Sequence, residues 1–189
     1  MRKNPIVKPK PEATLAQFPN LPPNCCVSII GMAGAGKSTV GNALATHLDW
    51  AFVDTDRLIE AIYATKLQTI ADSLDKAAFL DLEAEVIGNL RLNRCVLATG
   101  GSVIYRESGM ARLAQLGPII HLDVCFQIIE ERIARNPQRG LAIAPGQTIQ
   151  ELFQEREELY KHYATLSIPA HDLRPAPLAA AIAEALRQL

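Results

Sequence analysis

From about residue 25 onward, short apolar runs alternate with longer stretches in which apolar residues return every three or four positions. The runs at 26–30, 51–54, 95–98, 119–122 and 166–170 have strand length, and runs with little polar alternation suit strands buried on both faces. Between them the spacing predicts helices over 37–48, 56–64, 76–92, 109–116, 126–135 and 148–164, with a last one over 178–189. In the first of these, Val40, Leu44 and Leu48 recur every four residues and form one apolar stripe. Strands alternating with helices imply an α/β fold of three layers, a five-stranded parallel sheet flanked by helices. No internal repeat is visible.

Residues 1–24 follow a different pattern, with Pro5, Pro9, Pro11, Pro19, Pro22 and Pro23 among several lysines. Such a segment buries too little apolar surface to fold alone and reads as a flexible arm ahead of a single domain over 25–189. The whole chain of 189 residues suits one domain of ordinary size. Its 19 Lys and Arg against 20 Asp and Glu leave a net charge of -1. No global positive field exists to hold nucleic acid or an anionic membrane, so neither partner is expected. No apolar run approaches the roughly 20 residues of a membrane span, and Lys and Pro interrupt the N-terminus where a signal peptide needs an apolar stretch. A cytoplasmic protein is expected, its oligomeric state left open, a monomer included. Cys25, Cys26, Cys95 and Cys125 form no C-x-x-C pair and lie in or beside apolar segments, as buried reduced thiols do. His47, His121, His162 and His171 lack ligand-like spacing, and no zinc site is expected.

The chemistry begins at Gly31-Met32-Ala33-Gly34-Ala35-Gly36-Lys37-Ser38-Thr39, which matches G-x-x-x-x-G-K-[ST] between a buried strand and an amphipathic helix. A glycine turn that merely joins strand to helix is the alternative. At average glycine usage, a chance match in a chain this long falls below roughly one in a hundred. The glycines let successive N–H groups of 34–39 aim inward, and the helix N-terminus adds partial positive charge, so the loop suits polyphosphate. Lys37 then bridges the β- and γ-phosphates of ATP, and Ser38 ligates Mg²⁺ through its hydroxyl.

Asp54-Thr55-Asp56 closes the second strand at the edge where open α/β sheets bind ligands. Either residue after Asp54 could simply cap the following helix. Beside a phosphate loop, one acid can hold a metal-bound water while the second accepts the proton of an attacking hydroxyl. Thr99-Gly100-Gly101-Ser102 ends the third strand at the same edge, where paired glycines permit close backbone approach to a ligand. Leu152, Arg156, Leu159, Tyr160 and Tyr163 share one helix face, which sets a guanidinium on an apolar stripe. A buried-side arginine has an anionic partner, either a nearby glutamate or a substrate.

Taken together these segments resemble the shikimate kinases, with their short P-loop, D-x-D, T-G-G-G loop, R-P-L-L lid and R-x-x-x-Y helix. Here the motifs read Gly31 to Thr39, Asp54 to Asp56, Thr99 to Ser102, Arg139-Gly140-Leu141-Ala142 and Arg156 to Tyr160, in the expected order over about 25–189. The resemblance implies a P-loop kinase fold with a lid over about 136–147, and transfer of the γ-phosphate of Mg·ATP to a hydroxyl of a small carboxylate metabolite, shikimate first. It implies that Gly34, Ala35, Gly36, Lys37, Ser38 and Thr39 hold the nucleotide, with Arg132 near the adenine, and that Asp54 supports Mg²⁺ through water. Asp56 contacts the acceptor hydroxyl, the Gly100 and Gly101 backbone lines the acceptor pocket, Arg139 closes onto the transferring phosphate, and Arg156 grips the acceptor carboxylate.

The chain departs from that pattern where F-R-x-x-E becomes Phe79-Leu80-Asp81-Leu82-Glu83, so that Leu80 replaces an acceptor-binding arginine. Ser102 for the third glycine and Gly140-Leu141-Ala142 for P-L-L are further departures. Two more readings therefore stay open. One is the same transfer onto a hydroxylated amino acid such as homoserine, its ammonium near Asp81 or Asp56. The other is a nucleotide-binding regulator that no longer transfers phosphate.

Overall fold

The computed structural model describes residues 21–135, 143, 146–171 and 174–189. Five strands, β1 (Val27–Ile30), β2 (Ala51–Asp54), β3 (Cys95–Ala98), β4 (Ile119–Asp123) and β5 (Leu166–Pro169), form one sheet in the order β2-β3-β1-β4-β5. Every pairing is parallel. β1 and β3 are buried at every position, which is why their sequences are unbroken apolar runs apart from Ser28, whereas the edge strand β5 alternates half-buried with exposed residues.

Among the described residues eight α-helices flank the sheet: α1 (Lys37–Leu48), α2 (Thr55–Tyr63), α3 (Leu67–Ser73), α4 (Lys76–Gly88), α5 (Glu107–Leu116), α6 (Phe126–Arg135), α7 (Ile149–Tyr163) and α8 (Pro175–Arg187). The predicted stripe of α1 is real: Val40, Leu44 and Leu48 are buried, and α1 packs on α8, whose Leu178, Ile182 and Leu186 are buried in turn. One continuous core joins these helices to Ile29, Ile30, Leu97 and Ile120 of the sheet. A smaller cluster of Ile59, Ile70 and Phe79 ties α2, α3 and α4 together.

Four boundaries differ from those that periodicity predicts. Helix α3 escapes the pattern because seven residues with one buried side chain, Ile70, carry too little period. Helix α4 stops at Gly88, where Asn89 caps it, rather than reaching residue 92. Val103–Tyr105 forms a single 3₁₀ turn before α5, which starts at Glu107. Helix α8 begins at Pro175, since proline in a first turn lacks only an N–H that would have had no partner. Leu21 already packs on the core, and residues 1–20 of the arm lie outside the described residues, as does most of the 136–147 segment.

Cys25, Cys26 and Cys95 are buried free thiols, as expected, and burial pushes Cys25 and Cys95 up to about 11; Cys125 is half-buried. Among the described residues no helix is long and apolar enough to cross a membrane.

The turn from α5 into β4 depends on Gly117, which adopts φ +151°, and a Cβ there would run into the Cys26 carbonyl oxygen. Gly117→Ala is expected to lower unfolding stability by about 2 kcal/mol or more. Urea denaturation checks this; a loss under about 0.5 kcal/mol, the range of neutral surface changes, would show that the turn relaxes freely.

Candidate active site

The phosphate loop, Asp54–Asp56 and Thr99–Ser102 all lie at the carboxyl ends of β1, β2 and β3. The loop after β1 adopts positive φ at Gly31, Gly34 and Gly36 (145°, 84° and 96°), a conformation that side chains rarely accept. Gly36 is the N-cap of α1, with no side-chain cap and no acid in the first turn, so the helix opens onto the loop as an anion site. Lys37 is buried and folds back across the loop, its Nζ donating to the Gly31 carbonyl at 2.8 Å and the Met32 carbonyl at 3.0 Å. Arg132 of α6 donates from Nη1 to the Gly34 carbonyl at 3.0 Å and so lies against the same loop. Ala35 is buried, while Ser38 and Thr39 are exposed on the first turn of α1.

Asp54 has two tasks. Its Oδ1 accepts from the N–H groups of Asp56 and Arg57 and caps α2, while its Oδ2 accepts from the Ser38 hydroxyl at 2.6 Å. The expectation that Thr55 or Asp56 could cap the helix is corrected: Asp54 is the cap, and Thr55 and Asp56 lie in the first turn. Among the described residues no group of three His, Cys, Asp or Glu side chains could hold a metal ion. Mg²⁺ does not need one, because phosphates and water supply most of its ligands. A hydroxyl and a carboxylate oxygen side by side at the mouth of a phosphate loop fit that mode of binding.

Asp56 points the other way. Among the described residues its Oδ1 is buried with no hydrogen-bond partner, and burial pushes the carboxyl up from 3.8 to about 6, opposed by the charge of Lys37 and aided by that of Asp54. Facing it is Glu83 of α4, 4 % exposed, whose Oε2 accepts from the Ser102 hydroxyl at 2.5 Å. Burial pushes Glu83 up from 4.5 to about 7; the Ser102 bond and the charges of Arg156 and Lys37 hold it down, and Asp56 raises it further. A Cβ at Gly100 would sit 2.5 Å from Glu83 Oε1 and 2.8 Å from Asp56 Oδ1, so any side chain there would displace both carboxylates. The Gly100 N–H donates to the buried Thr55 hydroxyl at 3.3 Å.

Gly101 passes between the phosphate loop and α7: a Cβ there would lie 3.4 Å from the Ala33 nitrogen and 3.1 Å from Arg156 Nη1. Arg156 is 1 % exposed. Its Nε donates to the Tyr105 hydroxyl at 3.2 Å, and its guanidinium carbon lies 5.3 Å from the centre of the Tyr105 ring. The Tyr160 hydroxyl donates to the Gly101 carbonyl at 2.6 Å, and burial raises its phenol far above the usual range.

The structure thus brings Lys37, Asp54, Asp56, Gly100, Gly101 and Arg156 into one cleft. Arg139 lies outside the described residues. Leu80 is buried. Asp81 does not face the cleft as an open acid: it pairs with Arg106 at 2.6 Å and its side chain is 68 % exposed, which removes it as the anchor for an acceptor ammonium. Glu83, Ser102 and Tyr105 carry weight that motif reading did not give them. One signal was available, since Glu83 shares the apolar face of Phe79, Leu80 and Ile87.

A parallel α/β sheet with a phosphate loop after its first strand, a capping acid beside it and a second pocket across two glycines defines a P-loop kinase of small molecules. The profile of the family described as "Shikimate kinase" matches residues 33–187. The chain belongs to the shikimate kinase family. It is 36 % identical over 147 residues to the shikimate kinase of Paracidovorax citrulli, covering 75 % of this chain and 80 % of the relative. It is 35 % identical over 165 residues to that of a Synechococcus strain, covering 85 % and 86 %. Its fold matches the shikimate kinase of Acinetobacter baumannii in complex with shikimate with a TM-score of 0.80, at 28 % identity over 87 % of this chain and 94 % of the other. The protein is accordingly a phosphotransferase with an alcohol group as acceptor, of a family that works with ATP and Mg²⁺.

The buried acids predict a pH dependence. A carboxyl with a raised folded value binds protons more readily folded than unfolded, so its contribution is fully present below its unfolded value and is lost as pH rises through the folded one. For Glu83 that window runs from 4.5 to about 7. Glu83→Gln removes the penalty, so its stability relative to wild type should improve by roughly 1–3 kcal/mol between pH 4.5 and 7.5. Equal slopes of unfolding free energy against pH for the two proteins would rule out Glu83 as a buried titrating acid.

Proposed function

We propose that the chain transfers the γ-phosphate of Mg·ATP to the 3-hydroxyl of shikimate, giving shikimate 3-phosphate and ADP. The observation that carries this reading is the placement of Gly101, close both to the phosphate loop at Ala33 and to the buried guanidinium of Arg156. An acceptor carboxylate bound by Arg156 would thereby lie next to phosphates bound by the loop, with Asp56 near the same segment.

In this reading the N–H groups of 34–39 cradle the nucleotide phosphates, and Lys37 leaves its two carbonyls to bridge the β- and γ-phosphates. Ser38 would hold Mg²⁺ directly and Asp54 through water, and the bound ion would supply charge neutralisation at the phosphate oxygens. Arg156 fixes the acceptor by its carboxylate. The buried, unpartnered Oδ1 of Asp56 accepts the proton of the attacking hydroxyl as its oxygen bonds to phosphorus and the bond to the ADP oxygen breaks. Arg139, expected to close on the transferring phosphate, completes the assignment, and Arg132 lies on the adenine side.

ADP release measured with shikimate, homoserine, gluconate and buffer alone tests the reading. Turnover is expected on shikimate; turnover on homoserine alone would make the hydroxy amino acid the substrate, and equal rates on every compound and on buffer would leave a nucleotide-binding regulator. Lys37→Ala should lower kcat by at least about a hundredfold, since it removes charge stabilisation from the transferring phosphate. Leu80→Arg restores a second cation facing Glu83 and should lower the KM for shikimate about tenfold, the value of one charged hydrogen bond. A large loss of shikimate turnover in that variant would misplace the pocket.

A further inference from the structure

Leu80 is buried and apolar where the family pattern sets an arginine, so the carboxylate side of the acceptor pocket relies on Arg156. A single long side chain gives a firm grip only if its rotamers are restricted before the ligand arrives. Two tyrosines hydrogen-bond to Arg156, Tyr160 from the same helix and Tyr105 from another element, and the R-x-x-x-Y motif accounts for Tyr160 alone. The second, Tyr105, lies in the 3₁₀ turn after the Gly100–Gly101 segment and is half-buried.

Resting on the functional reading above, we propose that Tyr105 is a positioning residue for Arg156, holding its guanidinium in the orientation from which it grips the acceptor carboxylate. A phenol has one proton to donate. In Tyr105 that proton goes to Glu155 Oε1 at 2.7 Å, which leaves an oxygen lone pair for the Nε–H of Arg156 at 3.2 Å. Glu155 is held in turn by Gln147 at 2.8 Å through its other oxygen. The aromatic ring adds a second restraint: the guanidinium carbon and the Lys76 ammonium each lie 5.3 Å from its centre. With Nε engaged by the phenol, the Nη edge is the part of the fork turned to Gly101, where Nη1 lies 3.1 Å from the position of a Cβ. Carboxylates are bound bidentately by such an edge. Specificity for an acidic acceptor is thus built from a tyrosine that need not touch it.

Two measurements on the full-length protein test this. In ¹⁵N spectra the Arg156 Nε–H signal, identified by its absence in Arg156→Lys, should exchange slowly with solvent in wild type and lose protection in Tyr105→Phe. In kinetics, Tyr105→Phe should raise the KM for shikimate about tenfold while kcat and the KM for ATP stay within about twofold, and it should shrink the preference for shikimate over its uncharged methyl ester by a similar factor. Glu155→Gln, at an exposed position that folding tolerates, should shift the same two readouts in the same direction by a smaller amount, and it decides the matter should Tyr105→Phe not fold. Unchanged protection and an unchanged ester preference in a folded variant would overturn the proposal. If wild type does not turn over shikimate, the functional reading fails, and the Nε–H comparison still decides whether Tyr105 holds Arg156.

Discussion

The parallel register of three strands underlies the rest of the cleft. Ala98 of β3 pairs with Ile29 of β1 on one side and with Asp54 of β2 on the other, so the three strands end level with one another. Whatever follows them must therefore emerge in one row: the phosphate loop at Gly31, the α2 cap at Asp54, and the Thr99–Ser102 segment between them. Side-chain bonds then stitch the row together. The Thr99 hydroxyl donates to the Ile29 carbonyl at 3.1 Å, and the Gly100 N–H donates to Thr55 at 3.3 Å. A register slip of one residue would turn Asp54 and Thr99 to the other face of the sheet and disperse the site. Because β1 and β3 are buried on both faces, their patterning does not exclude that slip, and the register-specific bonds of Thr99 and Gly100 do so instead.

Across that row the acceptor pocket balances charges that are costly to bury. Asp56 and Glu83 meet at Gly100, which adds no side chain between them, and the charges of Lys37 and Arg156 offset part of the cost of burying Glu83. The change of a family glycine to Ser102 gains a role in this setting. With no arginine at position 80, its hydroxyl supplies the hydrogen bond that holds the buried Glu83 carboxylate, at 2.5 Å. Asp81, one residue from Leu80, is drawn outward to Arg106 and contributes nothing to that balance.

The donor half of the site was legible in the sequence because its function resides in local backbone geometry. Nine consecutive residues encode the phosphate loop, and the apolar run before it and the stripe after it identify strand and helix. Asp54 and Asp56 were equally readable, since the order of strand and helix puts them at the ligand edge. What stayed hidden depends on contacts between distant segments. Ser102 bonds Glu83 across 19 residues, and Tyr105 meets Arg156 across 51. Neither pair has a spacing that periodicity can detect. Asp81 misled for the same reason, as its partner Arg106 lies 25 residues away in another element. Helix α3 was missed for a different one, being short and anchored chiefly through Ile70.

The posture of Lys37 bears on how the loop meets its nucleotide. By holding two loop carbonyls, its ammonium ties the first turn of α1 back to the end of β1. An incoming anion must outbid those carbonyls to recruit the lysine. The same ammonium thus serves two sets of oxygens, those of the chain and those of a ligand, and its contribution to anion affinity is the difference between them.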